Sequence, residues 1–252
     1  MQIIAAEDTR RTKVLLGEIG VQTAKLLALH EHNESAAVAR VIAALQEGAD
    51  VALVSDAGTP LLSDPGFELV RRCWELQLSV VPIPGASAVS AVLSVCPIPA
   101  GHFYFQGFVS PRDNQRRRQL AELLRREEAV VFFEAPHRIE RCLQDLADLA
   151  PDRRIMLGRE MTKLHESYLL GPASQLLADL RGQDAMRGEF VCVIEGNREV
   201  AAALDVQHTM AVLVGELSPS VAAKIGAQLL GMSRRDLYQL ATSLKPTSGT
   251  RE

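Results

Sequence analysis

The amino-acid sequence predicts an α/β fold: two α/β domains followed by a small C-terminal helical extension. Short apolar runs rich in β-branched or aromatic residues stand at 51–54, 78–83, 103–105, 129–133, 155–157 and 190–194. Each precedes a turn and a stretch in which Leu, Val and Ala recur at three and four positions, at 35–46, 65–77, 86–94, 114–126, 139–149 and 172–181. Such alternation argues for parallel strands joined by crossover helices. After Asn197 the strand-like runs stop. Three helical patterns follow at 209–217, 220–230 and 234–243, punctuated by Ser218-Pro219 and Gly231-Met232-Ser233. The expected boundaries are therefore 1–105 for the first α/β domain, 106–198 for the second and 199–252 for the tail, with 106–114 as the link.

Composition narrows the function classes. The 252 residues are 47% hydrophobic, enough for two buried cores, which excludes disorder, collagen-like sequence and a disulfide miniprotein. With 27 basic against 31 acidic side chains the net charge is −4, so a nucleic-acid partner would have to be held by a local basic patch. Cys73, Cys96, Cys142 and Cys192 form no CxxC pair and read as free thiols of a cytoplasmic protein. No Asp, Glu, Lys or Arg occurs between Glu75 and Arg112, but Pro82, Pro84, Gly85, Pro97, Pro99 and Gly101 break that stretch into pieces too short to span a bilayer. From Arg198 onward the chain carries six basic against five acidic residues, which suits a packing bundle about as well as an RNA-binding module.

Several loops hold residues suited to chemistry. The run at 51–54 enters Ser55-Asp56-Ala57-Gly58-Thr59-Pro60, and ligands of open parallel sheets bind outside the carboxyl ends of strands. Asp56 can accept from a hydroxyl or ammonium there, and Gly58 allows close backbone approach; an ordinary turn with Asp64 capping the next helix is the bland alternative. Pro84-Gly85-Ala86-Ser87 offers a second such turn with free backbone N–H groups at a helix start. Neither a GxGxxG fingerprint nor a P-loop occurs. Glu7-Asp8-Thr9-Arg10-Arg11 reads either as a ligand-orienting cluster or as an ion-paired helix start. His30 and His32 lack an identifiable third ligand, so no metal site is expected and a cap by Asn33 or Ser35 is favoured. Arg138, Arg159 and Lys163 are candidate phosphate contacts set against the default of surface ion pairs. Arg116-Arg117-Arg118 reads as a solvated helix face facing Glu122, Glu127 and Glu128.

Seven collinear segments are AEDTR at 6–10, HEHNE at 30–34, SDAGTPLLSDPG at 55–66, PGASA at 84–88, FEAPHR at 133–138, GREMTK at 158–163 and GEFV at 188–191. Their order and spacing resemble the bacterial small-subunit ribosomal RNA 2′-O-ribose cytidine methyltransferases, a branch of the tetrapyrrole-methylase superfamily. The resemblance covers nearly the whole chain, including a tail similar to that branch's helix-turn-helix extension. It implies two domains of the tetrapyrrole-methylase type with the donor cleft between them, S-adenosylmethionine as methyl donor, a homodimer, and a cytidine of small-subunit ribosomal RNA or of the 30S subunit as substrate. On the matching positions it implies donor binding by Asp56, Ala57, Gly58, Thr59, Pro84, Gly85, Ser87, Phe133, Glu134, Gly188, Glu189 and Phe190. RNA contacts fall to Arg10, Arg138, Arg159 and Lys163.

Methyl transfer to a ribose hydroxyl needs in-line alignment and a group to accept the hydroxyl proton. Asp8 is favoured over Glu7, His137 and Glu160 for that role. The competing readings are a methylase of the same superfamily acting on a corrin or porphyrin carbon, and a non-catalytic ribosome-binding homologue. Family members resembling this chain begin with an extra strand and a Gly- and Pro-containing loop before AEDTR. Met1 stands five residues before Ala6, so the first domain is expected to lack that strand, with exposed apolar neighbours and weakened donor binding.

Overall fold

The computed structural model describes residues 2–21, 25–30, 33–182 and 185–244, and for 198–205 the backbone alone. The first half contains β1 (Ile3–Ala6), α1 (Thr9–Glu18), β2 (Lys25–Ala28), α2 (Glu34–Gln46), β3 (Val51–Val54), α3 (Phe67–Glu75) and α4 (Ala88–Val95). Its three strands form a parallel sheet in the order β2-β1-β3, with Ile3 beside Lys25 on one side and Val51 on the other. In α2 the buried positions are Ala37, Val38, Val41 and Ile42, one stripe at helical spacing. They meet Leu69 and Cys73 of α3 and the fully buried Ala5 and Leu29 in one core.

The second half contains β4 (Phe103–Phe108), α5 (Asp113–Leu123), β5 (Ala129–Glu134), α6 (Ile139–Leu149), β6 (Arg154–Arg159), β7 (Ser167–Pro172), α7 (Ala173–Gly182) and β8 (Phe190–Ile194). The sheet order is β4-β5-β8-β6-β7. Every residue of β8 is buried, as expected of a central strand covered on both faces. One face carries α5, α6 and α7 through Leu120, Leu143, Leu146, Leu176 and Leu180 around Phe132 and Ile194. The other face is covered by α4, whose Val89 and Val92 pack with Ile98 on Val131, Met156 and Val193. The tail forms α8 (Arg198–Glu216), α9 (Pro219–Leu230) and α10 (Arg234–Leu244) around Met210, Ala222, Ala223, Leu237 and Ala241. Gly226 is needed there because a Cβ would stand 2.6 Å from Met210 Sδ. No described helix is long and apolar enough to cross a membrane.

Four expectations change. The segment 78–83 is not a strand: Val81 and Ile83 are 72% and 85% exposed, and Pro82 and Pro84 remove two of the donors that a ladder requires. The second sheet is mixed: β4 and β5 are parallel, whereas β5–β8, β6–β8 and β6–β7 are antiparallel. Alternating periodicity does not encode strand direction, and the short β6–β7 connection without a helix permits the antiparallel hairpin. Helix α8 begins at Arg198, well before 209. Finally, Arg116 is 2% exposed. It pairs with Asp145 at 2.8 Å and Asp113 at 3.0 Å, while Arg117 reaches Asp145 and Asp148. The arginines are taken up by α6 carboxylates across the helix–helix contact.

Removing one member of a buried ion pair strands the other. Arg116→Ala is expected to cost about 3 kcal/mol in urea denaturation, whereas Arg116→Met combined with Asp145→Leu should recover most of that loss.

Candidate functional site

One cleft of about 260 Å³ opens where both halves present strand ends. From the loop after β3 come Ala57, Gly58, Thr59, Leu62, Ser63 and Asp64, and from the start of α4 come Ser87 and Ala88. The second sheet supplies Phe108, Phe133, Glu134, Ala135, Pro136, Gly158, Met161, Glu189, Phe190 and Val191. Because β8 runs antiparallel to both neighbours, its first residue Phe190 pairs with Glu134 at the end of β5 and with Arg159 at the end of β6. The amino end of β8 thus shares an edge with the carboxyl ends of β5 and β6, the usual ligand side of such sheets.

The loop 55–66 is tightly shaped. Leu61 and Ser63 take left-handed φ values of 74° and 69°, a conformation that L residues hold only when their surroundings enforce it. Gly107, at φ 73°, lets Ser63 Oγ approach; a Cβ there would meet it at 3.1 Å. Thr59 Oγ1 donates to Ala86 O at 3.1 Å, tying this loop to the turn before α4. Gly66 N and Glu68 N both donate to Glu34 Oε1 at 3.2 Å. The carboxylate of the HEHNE segment therefore sits at the α3 N-terminus, where the helix dipole and free N–H groups favour it. Asn33 supports the same segment differently from a side-chain cap: its Oδ1 accepts from His30 N, and its Nδ2 donates to Ala28 O. Glu31 and His32 lie outside the described residues.

The AEDTR segment braces β1 against β3. Asp56 N donates to Glu7 Oε2 at 3.0 Å, and Asp8 N donates to Asp56 Oδ1 at 3.1 Å. Arg11 lies 3.5 Å from Asp56. Asp8 is the N-cap of α1, accepting from Arg10 N at 2.8 Å and from the Arg10 guanidinium at 2.7 and 3.0 Å. Those hydrogen bonds hold its carboxyl well below the usual range.

On the opposite wall Glu134 is buried, with Oε1 accepting from Ala135 N at 2.8 Å and from Arg138 Nε at 2.7 Å. Burial pushes its carboxyl up against the opposing effect of those bonds. Glu160, at φ 49°, accepts from Glu189 N at 2.8 Å and from Lys163 Nζ at 3.0 Å. The backbone bond from Glu189 leads in lowering its pKa. Gly188 is at φ 101°, and a Cβ there would collide with the Glu160 side chain. Lys163 Nζ also lies 3.0 Å from Glu189. Arg159 Nε donates to Arg187 O at 2.7 Å.

Of the residues assigned to donor binding from sequence, Ala57, Gly58, Thr59, Ser87, Phe133, Glu134, Glu189 and Phe190 line the cleft, whereas Asp56, Pro84, Gly85 and Gly188 do not. Glu7, Asp8, His137 and Glu160 do not line it, and His137 is exposed on the turn that carries Pro136. Arg10, Arg138, Arg159 and Lys163 are each engaged by a carboxylate or carbonyl, with Arg10 the most exposed. Sequence reasoning missed Leu62, Ser63, Phe108, Gly158, Met161 and, above all, Asp64 as a cleft residue. Burial pushes the Asp64 carboxyl up to about 6, helped by Glu7, Asp56 and Glu189 and opposed by a hydrogen bond from Ser55. Its place nine residues after Ser55 in the same polar loop was the available signal.

Residues 1–177 match the family described as Tetrapyrrole (Corrin/Porphyrin) Methylases, and residues 200–245 match the RsmI C-terminal HTH domain. A protein of Neisseria meningitidis serogroup A named Ribosomal RNA small subunit methyltransferase I is 42% identical over 96% of this chain and 84% of its own length. Its namesake in Escherichia coli O157:H7 is 39% identical over 96% and 85%. Among solved structures, the methyltransferase CobJ superposes with a TM-score of 0.53 at 15% identity, covering 77% of this chain and 93% of that one. Uroporphyrin-III-C-methyltransferase from Thermus thermophilus gives 0.52 at 18% identity, covering 77% and 82%. At these identities the structures establish the fold alone. The chain belongs to the tetrapyrrole methylase family, in the branch formed by the ribosomal RNA small subunit methyltransferase I proteins.

Proposed function

We propose that the chain transfers a methyl group from S-adenosylmethionine to a cytidine ribose 2′-hydroxyl of small-subunit ribosomal RNA. The observation that carries this reading is the convergence of five of the seven family motifs on one cleft, in a chain 42% identical to a small-subunit ribosomal RNA methyltransferase. The cleft fits the donor: Phe133, Phe190, Val191 and Met161 offer apolar surface to a base, and Thr59, Ser87, Asp64 and Glu189 offer acceptors to ribose and amine groups. When bound, the donor supplies an electrophilic methyl on a sulfonium. The protein then has mainly to position the hydroxyl and accept its hydrogen.

Asp8 is our proposed acceptor, with its backbone N–H held by Asp56, whose own N–H donates to Glu7. Held ionised by Arg10, it orients the hydroxyl as a hydrogen-bond acceptor, and the proton passes on to water. His137 and Glu160 are the secondary candidates. Arg10 and Lys163 are assigned to RNA phosphates, with Arg138 and Arg159 steadying the loops that carry them. The division at 105 and 198 is supported by separate buried clusters around Val41, Leu143 and Met210, with α4 grouped by sequence with the first part and by packing with the second. A homodimer belongs to the same reading, supported by exposed Val14 and Leu15 on α1 and exposed Ile19 at its C-cap.

Incubation with labelled donor and undermodified small subunits, followed by ribose-methylation mapping, should place the label on one cytidine 2′-oxygen; absence of transfer with bound donor would refute the substrate assignment. Asp8→Asn preserves the helix cap and should lower single-turnover transfer by about 10²-fold. Because the Asp8 carboxyl lies well below the usual range, the wild-type rate should show no acid limb from this group above about pH 4. Arg10→Ala should reduce the salt slope of RNA binding by about one, measured by filter binding across salt concentrations.

A further inference from the structure

The cleft lining contains three carboxylates, Asp64, Glu134 and Glu189, and no Lys, Arg or His. Two of them have cationic partners outside it: Arg138 lies 2.7 Å from Glu134, and Lys163 lies 3.0 Å from Glu189. Among the described residues Asp64 forms no such ion pair. The Ser55 hydroxyl is its polar neighbour, and the charged groups facing it are the carboxylates of Glu7, Asp56 and Glu189, with Arg11 and Lys163 turned to the latter two. The left-handed residues Leu61 and Ser63 shape the loop that brings this carboxylate to the cleft. A partly desolvated anion among like charges is unfavourable until a cation arrives.

We propose that Asp64 is the counter-charge for the donor's sulfonium, so that the cleft prefers the charged donor to the thioether product, S-adenosylhomocysteine. This rests on the donor reading above and adds a residue role to it. Donor and product share the adenosine and the α-amino acid, so contacts to those parts largely cancel in the ratio of their affinities. What remains is the sulfonium charge, which transfer of the methyl abolishes. Loss of that attraction after each turnover favours release of the product.

Calorimetry with S-adenosylmethionine, S-adenosylhomocysteine and sinefungin, which carries an ammonium in place of the sulfonium, tests this directly. Asp64→Asn should weaken the two cationic ligands about tenfold while changing the thioether by less than about threefold. Asp64→Glu should retain the preference. In the wild type the preference should shrink between about pH 7.5 and about pH 5, as the carboxyl takes up its proton near pH 6. With its folded pKa above the unfolded one, Asp64 keeps a proton that the unfolded chain loses between about pH 4 and 6, so stability falls as pH rises through that window. Melting curves of the ligand-free Asp64→Asn protein should therefore fall less steeply there and lie no lower than wild type at neutral pH. Equal weakening of all three ligands, or an unchanged affinity ratio, would overturn the proposal while leaving the donor reading intact. A wild-type protein that binds none of the three would overturn both.

Discussion

The antiparallel course of β8 between β5 and β6 is the constraint on which the cleft depends. Strand β8 is buried along its whole length and hydrogen-bonded on both sides, so its register cannot slip without turning Val191 and Val193 away from one core and Cys192 and Ile194 away from the other. That register places Phe190 level with Glu134 and Arg159. Glu160, Gly188 and Glu189 follow from it: the backbone N–H of Glu189 meets the Glu160 carboxylate only because the two strands end at the same height.

A second layer of order comes from carboxylates that hold loops. Glu7 accepts from Asp56 N and Asp56 from Asp8 N, tying the ends of the first and third strands, Glu34 closes the start of α3, and Glu134 anchors the turn that carries Arg138. Each is an acid whose charge is met by N–H groups or a guanidinium, which is how a protein can keep ionised side chains close to an apolar cleft. Much of the polar character of the motifs is thus architectural. It shapes the cavity, and the side chains that face it are fewer and mostly apolar.

The α/β character and most helices were legible in the sequence because their apolar spacing follows from burial of one face, as in Val38, Val41 and Ile42 of α2. Strand β8 was legible as an uninterrupted apolar run, but its direction was not, since direction depends on which loops close and side-chain patterning is blind to it. Strands β1, β2 and β7 escaped notice because runs of four to six residues carry little periodicity. At the site, Gly58, Thr59, Ser87 and Phe133 could be found from strand-end loops. Asp64 stands in the same loop but read as a cap of the next helix, because its exposure to the cleft depends on the left-handed turns at Leu61 and Ser63, which neither residue type announces. Arg116 was misread because Asp145, its partner across the helix contact, lies 29 residues away.

The packing of α4 bears on what counts as a unit of folding. The helix precedes β4 in the chain, yet Val89 and Val92 complete the core beneath Val131, Met156 and Val193. A fragment ending near 105 would carry an apolar helix with nothing to cover, and its complement would leave one sheet face open to water. The two parts drawn along the sequence therefore share a core through α4. Since Ser87 and Ala88 begin this helix and also line the cleft, a cavity introduced under Val193 would be felt at the ligand, and damage to either half would surface as loss of both.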